Sequence, residues 1–188
     1  MLTHYVLTGA PGSGKTSVLH ELRRRGHAVV EEAATDVIAE RQALGIDEPW
    51  ARDDFVDLIV MLQRERASMR VCNSVHVQIH DRSPLCTLAL ARYLGRPVTP
   101  LLAGEVSRVL SEQVYARSVL LVRPLGFIEP TAARRISYAE SLAFERVHED
   151  VYRENGFDLV DIPPGPVADR ADLAEAHILA ATERLRHR

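Results

Sequence analysis

The chain has 188 residues and a mass of 21.0 kDa, which is the size of one domain with a substantial core. Its 26 acidic and 23 basic residues give a net charge of −3, which argues against nucleic-acid binding by general basicity, and no apolar run approaches the roughly 18–20 residues of a membrane helix. A single lysine, Lys15, stands among the basic residues, and all the others are arginines.

The first part of the chain alternates short apolar runs with segments of helical periodicity. Glycines at positions 26 and 45 follow two of these segments, as is typical of helix ends. The predicted elements are a strand at His4–Thr8, a helix at Lys15–Arg25, a strand at Ala28–Val30, a helix at Ala34–Leu44 and a long helix at Asp53–Val71.

The second part continues the alternation, and two of its helices begin with Ser-Pro or Thr-Pro, which favours a helix start. Its predicted elements are a strand at Val75–His80, a helix from Ser83 to Gly95, a helix from Thr99 to about Gln113, a strand at Ser118–Val122, a helix from about Ala132 to Glu154, a strand at Phe157–Ile162 and a final helix from Asp169. Apolar strands that alternate with helices predict one domain over residues 1–188, an open α/β sheet with helices on both faces.

A phosphate-binding pattern, G-x-x-x-x-G-K-[ST], lies between the first predicted strand and the first predicted helix. Its glycines let backbone N–H groups point at phosphate oxygens, and the helix adds its positive end. Lys15 is predicted to reach the β- and γ-phosphates of ATP, and the Thr16 hydroxyl to bind Mg²⁺. The predicted nucleotide-binding residues here are Gly9, Ala10, Pro11, Gly12, Ser13, Gly14, Lys15, Thr16 and Ser17.

Asp81 follows the third predicted strand and is the expected acidic partner of this loop. It is predicted to hold Mg²⁺ through water or to act as a base toward an acceptor, and the alternative is a cap of the next helix. Arg82 comes next, where ATP-driven AAA+ machines usually carry a glutamate that polarises the attacking water. Because arginine stays protonated, this position favours transfer to a bound acceptor over hydrolysis.

Three further arginines are candidates for balancing phosphate charge. Arg134 and Arg135 follow a proline-bounded loop in a predicted lid at about 124–137, and are predicted to close over the phosphates as catalytic cations. Arg123 lies at the end of the fourth strand, on the ligand edge of the sheet. The alternative for all three is a solvated surface position, since the chain is rich in arginine throughout.

Glu31 and Glu32 follow the second strand, where a carboxylate can orient an acceptor hydroxyl or take its proton. Neighbouring residues of a strand point in opposite directions, so at most one of them faces the site. Trp50, Phe55 and Gln63 are predicted to line an acceptor pocket, and the alternative for each is packing in the core.

With these residues placed, the chain resembles the AAA-type predicted ATPase/kinase family of small P-loop NTPases, which is related to ribosylnicotinamide kinases and to nucleoside and nucleotide kinases. The resemblance implies a five-stranded parallel sheet of order 2-3-1-4-5, a helical lid, ATP as donor and Mg²⁺ dependence. It rests on Thr8–Thr16, Glu32–Ala34, Pro49–Trp50, Gln63, Asp81–Arg82, Thr131–Arg135 and Val160–Pro164.

The same resemblance places the acceptor between the second strand and the long third helix. It favours Glu32 over Glu31 as the site carboxylate and packs the loop that contains Pro164 against the adenine. Arg82 is also predicted to contact the acceptor. Thr35 stands where members of the family commonly carry arginine, so the charge and identity of the acceptor stay open.

The sequence thus predicts a kinase that transfers the γ-phosphoryl group of ATP to a hydroxyl of a small, nucleoside-like acceptor. Two alternatives stay open: a slow ATPase whose nucleotide state controls a partner, and a nucleotide-binding module without chemistry. The N-terminus lacks a signal-peptide pattern, and the two cysteines fit reduced thiols. The predicted protein is therefore cytoplasmic, a monomer or homodimer that binds neither nucleic acid nor membrane.

Overall fold

The computed structural model describes residues 2–68, 76–127 and 136–186. Within these residues, the strands are β1 (Thr3–Thr8), β2 (Ala28–Val30), β3 (Val77–Asp81), β4 (Ser118–Val122) and β5 (Asp158–Ile162). The α-helices are α1 (Lys15–Arg24), α2 (Ala33–Ala43), α3 (Phe55–Ser68), α4 (Pro84–Tyr93), α5 (Pro100–Ser111), α6 (Tyr138–Glu154) and α7 (Val167–Arg186), and a 3₁₀ turn at Pro49–Ala51 precedes α3.

The five strands form one parallel sheet in the order β2-β3-β1-β4-β5, which confirms the predicted order. β1 lies at its centre, where Leu7 pairs with Asp81 of β3 and with Leu120 of β4. Because all the strands run the same way, their carboxyl ends share one edge, and in such sheets ligands bind at that edge.

Alternate residues of the central strand enter two separate cores, as the two-residue period of a strand requires. Tyr5 and Leu7 pack beneath α1 and α7, together with Ile79 and Val122. Val6 packs on the other face, in the core that α4, α5 and α6 cover. α2 packs on α3 through a third, smaller cluster. The helices therefore cover both faces of the sheet, as predicted.

The Ser-Pro and Thr-Pro signals both mark the start of a helix. The Ser83 hydroxyl accepts a hydrogen bond from the N–H of Leu85 (3.3 Å), and the Thr99 hydroxyl accepts one from the N–H of Leu102 (3.1 Å). Each satisfies an N–H group that the helix itself leaves unpaired. Ser83, and not Asp81, is therefore the cap of α4.

The start predicted for the sixth helix, at about Ala132, is wrong, because α6 begins at Tyr138. Ser137 and Glu140 form a capping box there: the Ser137 hydroxyl accepts from the N–H of Glu140 (3.2 Å), and the Glu140 carboxylate accepts from the N–H of Ser137 (2.8 Å). The predicted lid arginines, Arg134 and Arg135, lie outside the described residues.

Smaller differences concern the ends of other helices. α3 begins at Phe55 instead of Asp53, after the 3₁₀ turn, and α7 begins two residues before Asp169. In the part of the chain that the structure describes, no helix combines the length and the apolar character needed to cross a membrane.

Candidate active site

The phosphate loop turns tightly between β1 and α1, beneath the end of β4. Gly9 has a φ of +136°, and a Cβ atom at this position would lie 2.4 Å from the carbonyl oxygen of Val122. Gly14, with a φ of +84°, precedes α1 without a side-chain cap. No side chain of the residue before α1 caps its first N–H groups, and an uncapped helix N-terminus suits an anion.

Lys15 lies against the inside of this loop and is only 6% exposed. Its Nζ atom donates to the carbonyl oxygens of Ala10 (2.8 Å) and Gly9 (3.2 Å). Burial and the charge of Arg82 lower the pKa of Lys15 to about 8. The single lysine of the chain is thus a buried ammonium on the inner side of the phosphate loop.

Asp81 meets the loop from the end of the neighbouring strand. The Thr16 hydroxyl donates to its Oδ2 atom (3.0 Å), while its Oδ1 atom is buried without a hydrogen-bond partner among the described residues. Burial raises the pKa of this carboxyl group, and Lys15 opposes the shift. A hydroxyl beside a buried carboxylate oxygen without a partner suits a hard divalent cation, so Thr16 and Asp81 fit Mg²⁺.

An ion pair between Glu32 and Arg82 lies next to Asp81. Glu32 is the residue just before α2, and Arg82 donates from Nε to its Oε1 atom (2.5 Å). The Thr35 hydroxyl donates to the other carboxylate oxygen (2.8 Å). Burial acts to raise the pKa of Glu32, but the charges of Arg82 and Lys15 outweigh it and the pKa lies below its usual value. Glu32 is therefore ionised at neutral pH.

Arg82 itself is fixed from three sides. Its φ of +74° is rare for a residue other than glycine, and its N–H donates to the carbonyl oxygen of Leu7 (3.0 Å). Its Nη1 atom meets Nε2 of His148 at 2.9 Å. Since a guanidinium group only donates, this imidazole nitrogen accepts. Nδ1 of His148 donates to the carbonyl oxygen of Phe144 (2.9 Å), which assigns the neutral tautomer.

The two glutamates that follow β2 diverge, although neither belongs to the strand. Glu31 is exposed and pairs with Arg23 (2.8 Å) and with His20 (3.2 Å). Glu32 turns toward Asp81 and Arg82. Arg66 of α3 holds the connection between them, donating from Nη1 to the carbonyl oxygens of both glutamates at 2.9 Å.

Arg123 is engaged with carboxylates instead of standing free at the sheet edge. It pairs with Asp161 of β5 (2.9 Å) and with Glu145 (2.9 Å) and Glu149 (2.5 Å) of α6. The second oxygen of Glu145 accepts from the N–H of Ala10 in the phosphate loop (3.0 Å). α6 therefore touches the loop through a side chain that the sequence analysis did not single out.

Arg170 of α7 was also missed. It is 2% exposed, and it donates to the carbonyl oxygen of Ser13 in the loop and to that of Arg123, both at 2.7 Å. The loop is thus supported by a helix from the far end of the chain. No local pattern marks Arg170, because its partners are distant in sequence and the chain is rich in arginine.

Of the three predicted acceptor residues, Phe55 and Gln63 lie in α3, and Trp50 lies in the 3₁₀ turn that precedes it. Phe55 is 3% exposed and packs in the α2–α3 cluster, with Trp50 at its margin, so Phe55 shows the core packing weighed as its alternative. Gln63 accepts from the Thr87 hydroxyl through its side-chain oxygen (3.0 Å). Pro164 and Ser17 are exposed, in the β5–α7 loop and the first turn of α1.

The structure also has a cleft of about 920 Å³ between α2 and α3. None of the predicted site residues in the described ranges lines it. The described charges and hydrogen bonds instead converge at the carboxyl edge of the sheet, so that edge is the candidate site.

Comparison with known proteins identifies the family and the fold of the chain. A family model described as an AAA domain matches residues 4–170 of the chain. No curated protein sequence matches the chain. Similar solved structures include the NadR protein in complex with NAD and AMP-PNP, with a TM-score of 0.64 and 16% sequence identity over 97% of this chain and 49% of that one. The chain therefore spans about half the length of NadR.

Two other similar structures match over nearly their whole length. Deoxyadenosine kinase from M. mycoides has a TM-score of 0.63 and 12% identity, over 95% of this chain and 99% of that one. Thymidylate kinase from Candida albicans has a TM-score of 0.59 and 11% identity, over 96% and 92%. Identities this low show a shared fold alone. The similar structures show that the chain has the P-loop fold of nucleoside and nucleotide kinases. The family model, which matches most of the chain, shows that it belongs to the AAA domain family.

Proposed function

We propose that this protein is an ATP-dependent kinase that transfers the γ-phosphoryl group to a hydroxyl group of a small, nucleoside-like acceptor. The observation that carries the proposal is the ionised Glu32, paired with Arg82, beside the Lys15, Thr16 and Asp81 cluster. The similar structures lend support, since they include a deoxyadenosine kinase, a thymidylate kinase and a protein bound to NAD and AMP-PNP.

On the donor side, the N-terminus of α1 and the Lys15 ammonium bind the phosphates of ATP. Lys15 exchanges its two carbonyl partners for phosphate oxygens, and a compact point charge fits between them better than a planar guanidinium. Arg123, Ser17 and Pro164 are further nucleotide contacts in this proposal. Arg134 and Arg135, outside the described residues, are proposed to add positive charge over the phosphates.

Mg²⁺ fits beside the same phosphates. Thr16 and Asp81 would hold it, Asp81 through the buried oxygen that lacks a partner among the described residues. When bound, the ion neutralises charge on the β- and γ-phosphates.

On the acceptor side, Glu32 accepts a hydrogen bond from the acceptor hydroxyl. This bond directs the oxygen of the hydroxyl group at the γ-phosphorus. The new bond joins that oxygen to phosphorus, while the bond from phosphorus to the bridging oxygen of ADP breaks. The hydroxyl proton passes to Glu32 and then to solvent. Because the transition state of phosphoryl transfer is loose, orienting the hydroxyl matters more than removing its proton early, so a carboxylate of low pKa suffices. Trp50 and Gln63 are proposed to contact the rest of the acceptor.

Arg82 favours transfer over hydrolysis as the reaction. A motor-type ATPase needs a carboxylate to activate water beside its magnesium-binding aspartate, and the residue here is a guanidinium that cannot take a proton. Its pair with Glu32 also directs that carboxylate to one place at the sheet edge.

The test is a panel of nucleosides and related metabolites with purified protein, ATP and MgCl₂, read as ADP release. We expect at least one acceptor to raise the rate on the order of a hundredfold over ATP alone, as expected of an oriented hydroxyl. Lys15→Met serves as the inactive control. If ATP binds and every acceptor leaves the rate at the ATP-only level, the proposal fails and slow hydrolysis replaces it.

A further inference from the structure

Two buried polar side chains of α6 reach opposite halves of the site. Glu145 is 5% exposed and His148 is fully buried, and residues three positions apart lie on one face of a helix. Glu145 accepts from the N–H of Ala10 in the phosphate loop (3.0 Å), and His148 accepts from Nη1 of Arg82 (2.9 Å). One helical turn therefore joins the two places where donor and acceptor are proposed to bind.

We propose that α6 positions both halves of the site, with Glu145 holding the phosphate loop and His148 holding Arg82 against Glu32. The kinetic meaning of these positions rests on the proposed kinase function, whereas the contacts themselves do not. Both are positioning residues, because each acts through another residue.

His148 suits this task because it offers Arg82 an uncharged acceptor. The bond from Nδ1 to the carbonyl oxygen of Phe144 leaves Nε2 with its lone pair toward Arg82. The guanidinium is then held at two points, by Glu32 at Nε and by His148 at Nη1. Without His148, Arg82 would keep one of these two contacts and would turn more freely about the remaining bond.

Glu145 suits its task because both of its oxygens are engaged. One accepts from Ala10 of the loop and the other from Arg123 at the end of β4 (2.9 Å). Arg170 approaches the loop from α7 and bonds both Ser13 and Arg123. The loop is therefore braced from two helices that meet at the same strand end.

A merely structural role would give a different result. Buried polar groups need partners in any protein, and removing one lowers stability. If that were all, the two variants would impair ATP binding and acceptor use alike. Positioning predicts a split: loss at His148 affects the acceptor side, and loss at Glu145 affects the ATP side.

The kinetic experiment compares His148→Phe, His148→Gln and Glu145→Ala in the full chain. We expect His148→Phe to lower kcat/KM for the acceptor about tenfold or more, and to leave the Kd for ATP within about twofold. His148→Gln should recover most of the loss, because its side-chain oxygen can take the place of Nε2. Glu145→Ala should raise the Kd for ATP about tenfold and leave the acceptor KM within about twofold. Asp150→Asn, exposed on the same helix, should change neither.

A second readout does not depend on activity. The Nη1–H resonance of Arg82, assigned by its loss in Arg82→Lys, should exchange slowly with water in the wild type and in His148→Gln, and at least about tenfold faster in His148→Phe, because Nη1 is the atom that bonds His148. If His148→Phe does not fold, His148→Asn, whose side chain is too short to reach Arg82, replaces it.

Unchanged exchange in His148→Phe, or equal losses of ATP and acceptor binding in both variants, would overturn the proposal. If the wild type phosphorylates no acceptor while the Arg82 resonance and the ATP affinities behave as expected, then the kinase function fails and the positioning by α6 stands.

Discussion

The two halves of the candidate site are built in different ways. The donor half is built mainly from main-chain atoms. Gly9 passes beneath the carbonyl of Val122, α1 begins in the loop, and Lys15 donates to two carbonyl oxygens. The acceptor half is built from side chains. Glu32 and Arg82, which are 50 residues apart, form its central ion pair, and His148 of α6 accepts a hydrogen bond from Arg82.

This difference indicates which half of the site can vary between proteins of one fold. A loop fixed by backbone conformation tolerates few substitutions at its glycines, so we expect the proposed donor half to vary little among proteins of this fold. A pair of side chains can be exchanged one residue at a time without disturbing the sheet. Proteins of one fold can therefore keep the donor and differ in the acceptor, which is how function commonly varies on a shared scaffold.

The largest effect is expected on the donor half. Lys15→Met should lower phosphoryl transfer on the order of a thousandfold and weaken ATP binding, because Arg170, which also contacts the loop, is held by the carbonyl oxygens of Ser13 and Arg123 and does not replace the lost ammonium. The fold should stay intact, since the change removes a buried charge that burial disfavours. Single-turnover transfer and circular dichroism measure both. Arg24→Met, which removes an exposed cation from the same helix, is the matched control. A loss smaller than about tenfold would show that the phosphates do not meet Lys15.

The next largest effect is expected on the acceptor half, from a substitution that should leave ATP binding unchanged. Glu32→Gln should lower transfer about a hundredfold, because a neutral amide neither orients the hydroxyl as strongly nor takes its proton. The Kd for ATP should stay within about twofold, as measured by fluorescence titration. Glu31→Gln is the matched control, since its carboxylate pairs with the exposed side chains of His20 and Arg23, and its transfer rate should not change. If Glu32→Gln weakened ATP binding as much as Lys15→Met does, the division into two halves would be wrong.

A smaller effect is expected from pH. Burial, with the charge of Arg82, lowers the pKa of Lys15 to about 8, so the ATP-free protein releases this proton as the pH passes 8. Phosphates favour the charged form, so ATP binding should take up a proton above pH 8, and affinity should fall up to about tenfold per pH unit there. An unfolded lysine titrates near 10.5, so the unfolded chain holds more protons between pH 8 and 10.5, and Lys15 makes stability rise across that window. Calorimetry in two buffers of different ionisation heat measures the uptake, which Lys15→Met should abolish. Constant affinity from pH 7.5 to 9.5 would contradict this pKa.

The smallest effect tests the Thr35 contact on the acceptor half. Thr35→Val keeps the shape and removes the hydroxyl that donates to Glu32, so kcat/KM for the acceptor should fall about threefold. Thr35→Ser keeps the hydroxyl and should behave as the wild type. Equal kinetics for all three proteins would mean that this hydrogen bond does not help to hold Glu32.

The sequence was sufficient where contacts are local. The phosphate loop lies within eight consecutive residues, and the Ser-Pro and Thr-Pro helix starts depend on hydrogen bonds two or three residues away. Glu31 and Glu32 diverge, but both follow the last residue of β2, so strand alternation does not account for it. The start of α6 was placed too early, although the capping box of Ser137 and Glu140 was a local signal that marks it.

The remaining parts of the site depend on contacts that no local pattern announces. Glu145 meets Ala10 across 135 residues, and Arg170 meets Ser13 across 157. Helical periodicity indicates only that a side chain faces inward, and does not indicate which loop it meets. The abundance of arginine further hides Arg170, whereas the single lysine made Lys15 conspicuous.

The most direct test of the two-part site follows the label from [γ-³²P]ATP in a single turnover, with wild-type protein and the most active acceptor of the panel. We expect the label to appear on the acceptor, and we expect Glu32→Gln to slow this appearance without weakening ATP binding. Label that appears only as inorganic phosphate, at one rate with or without acceptor, would contradict it.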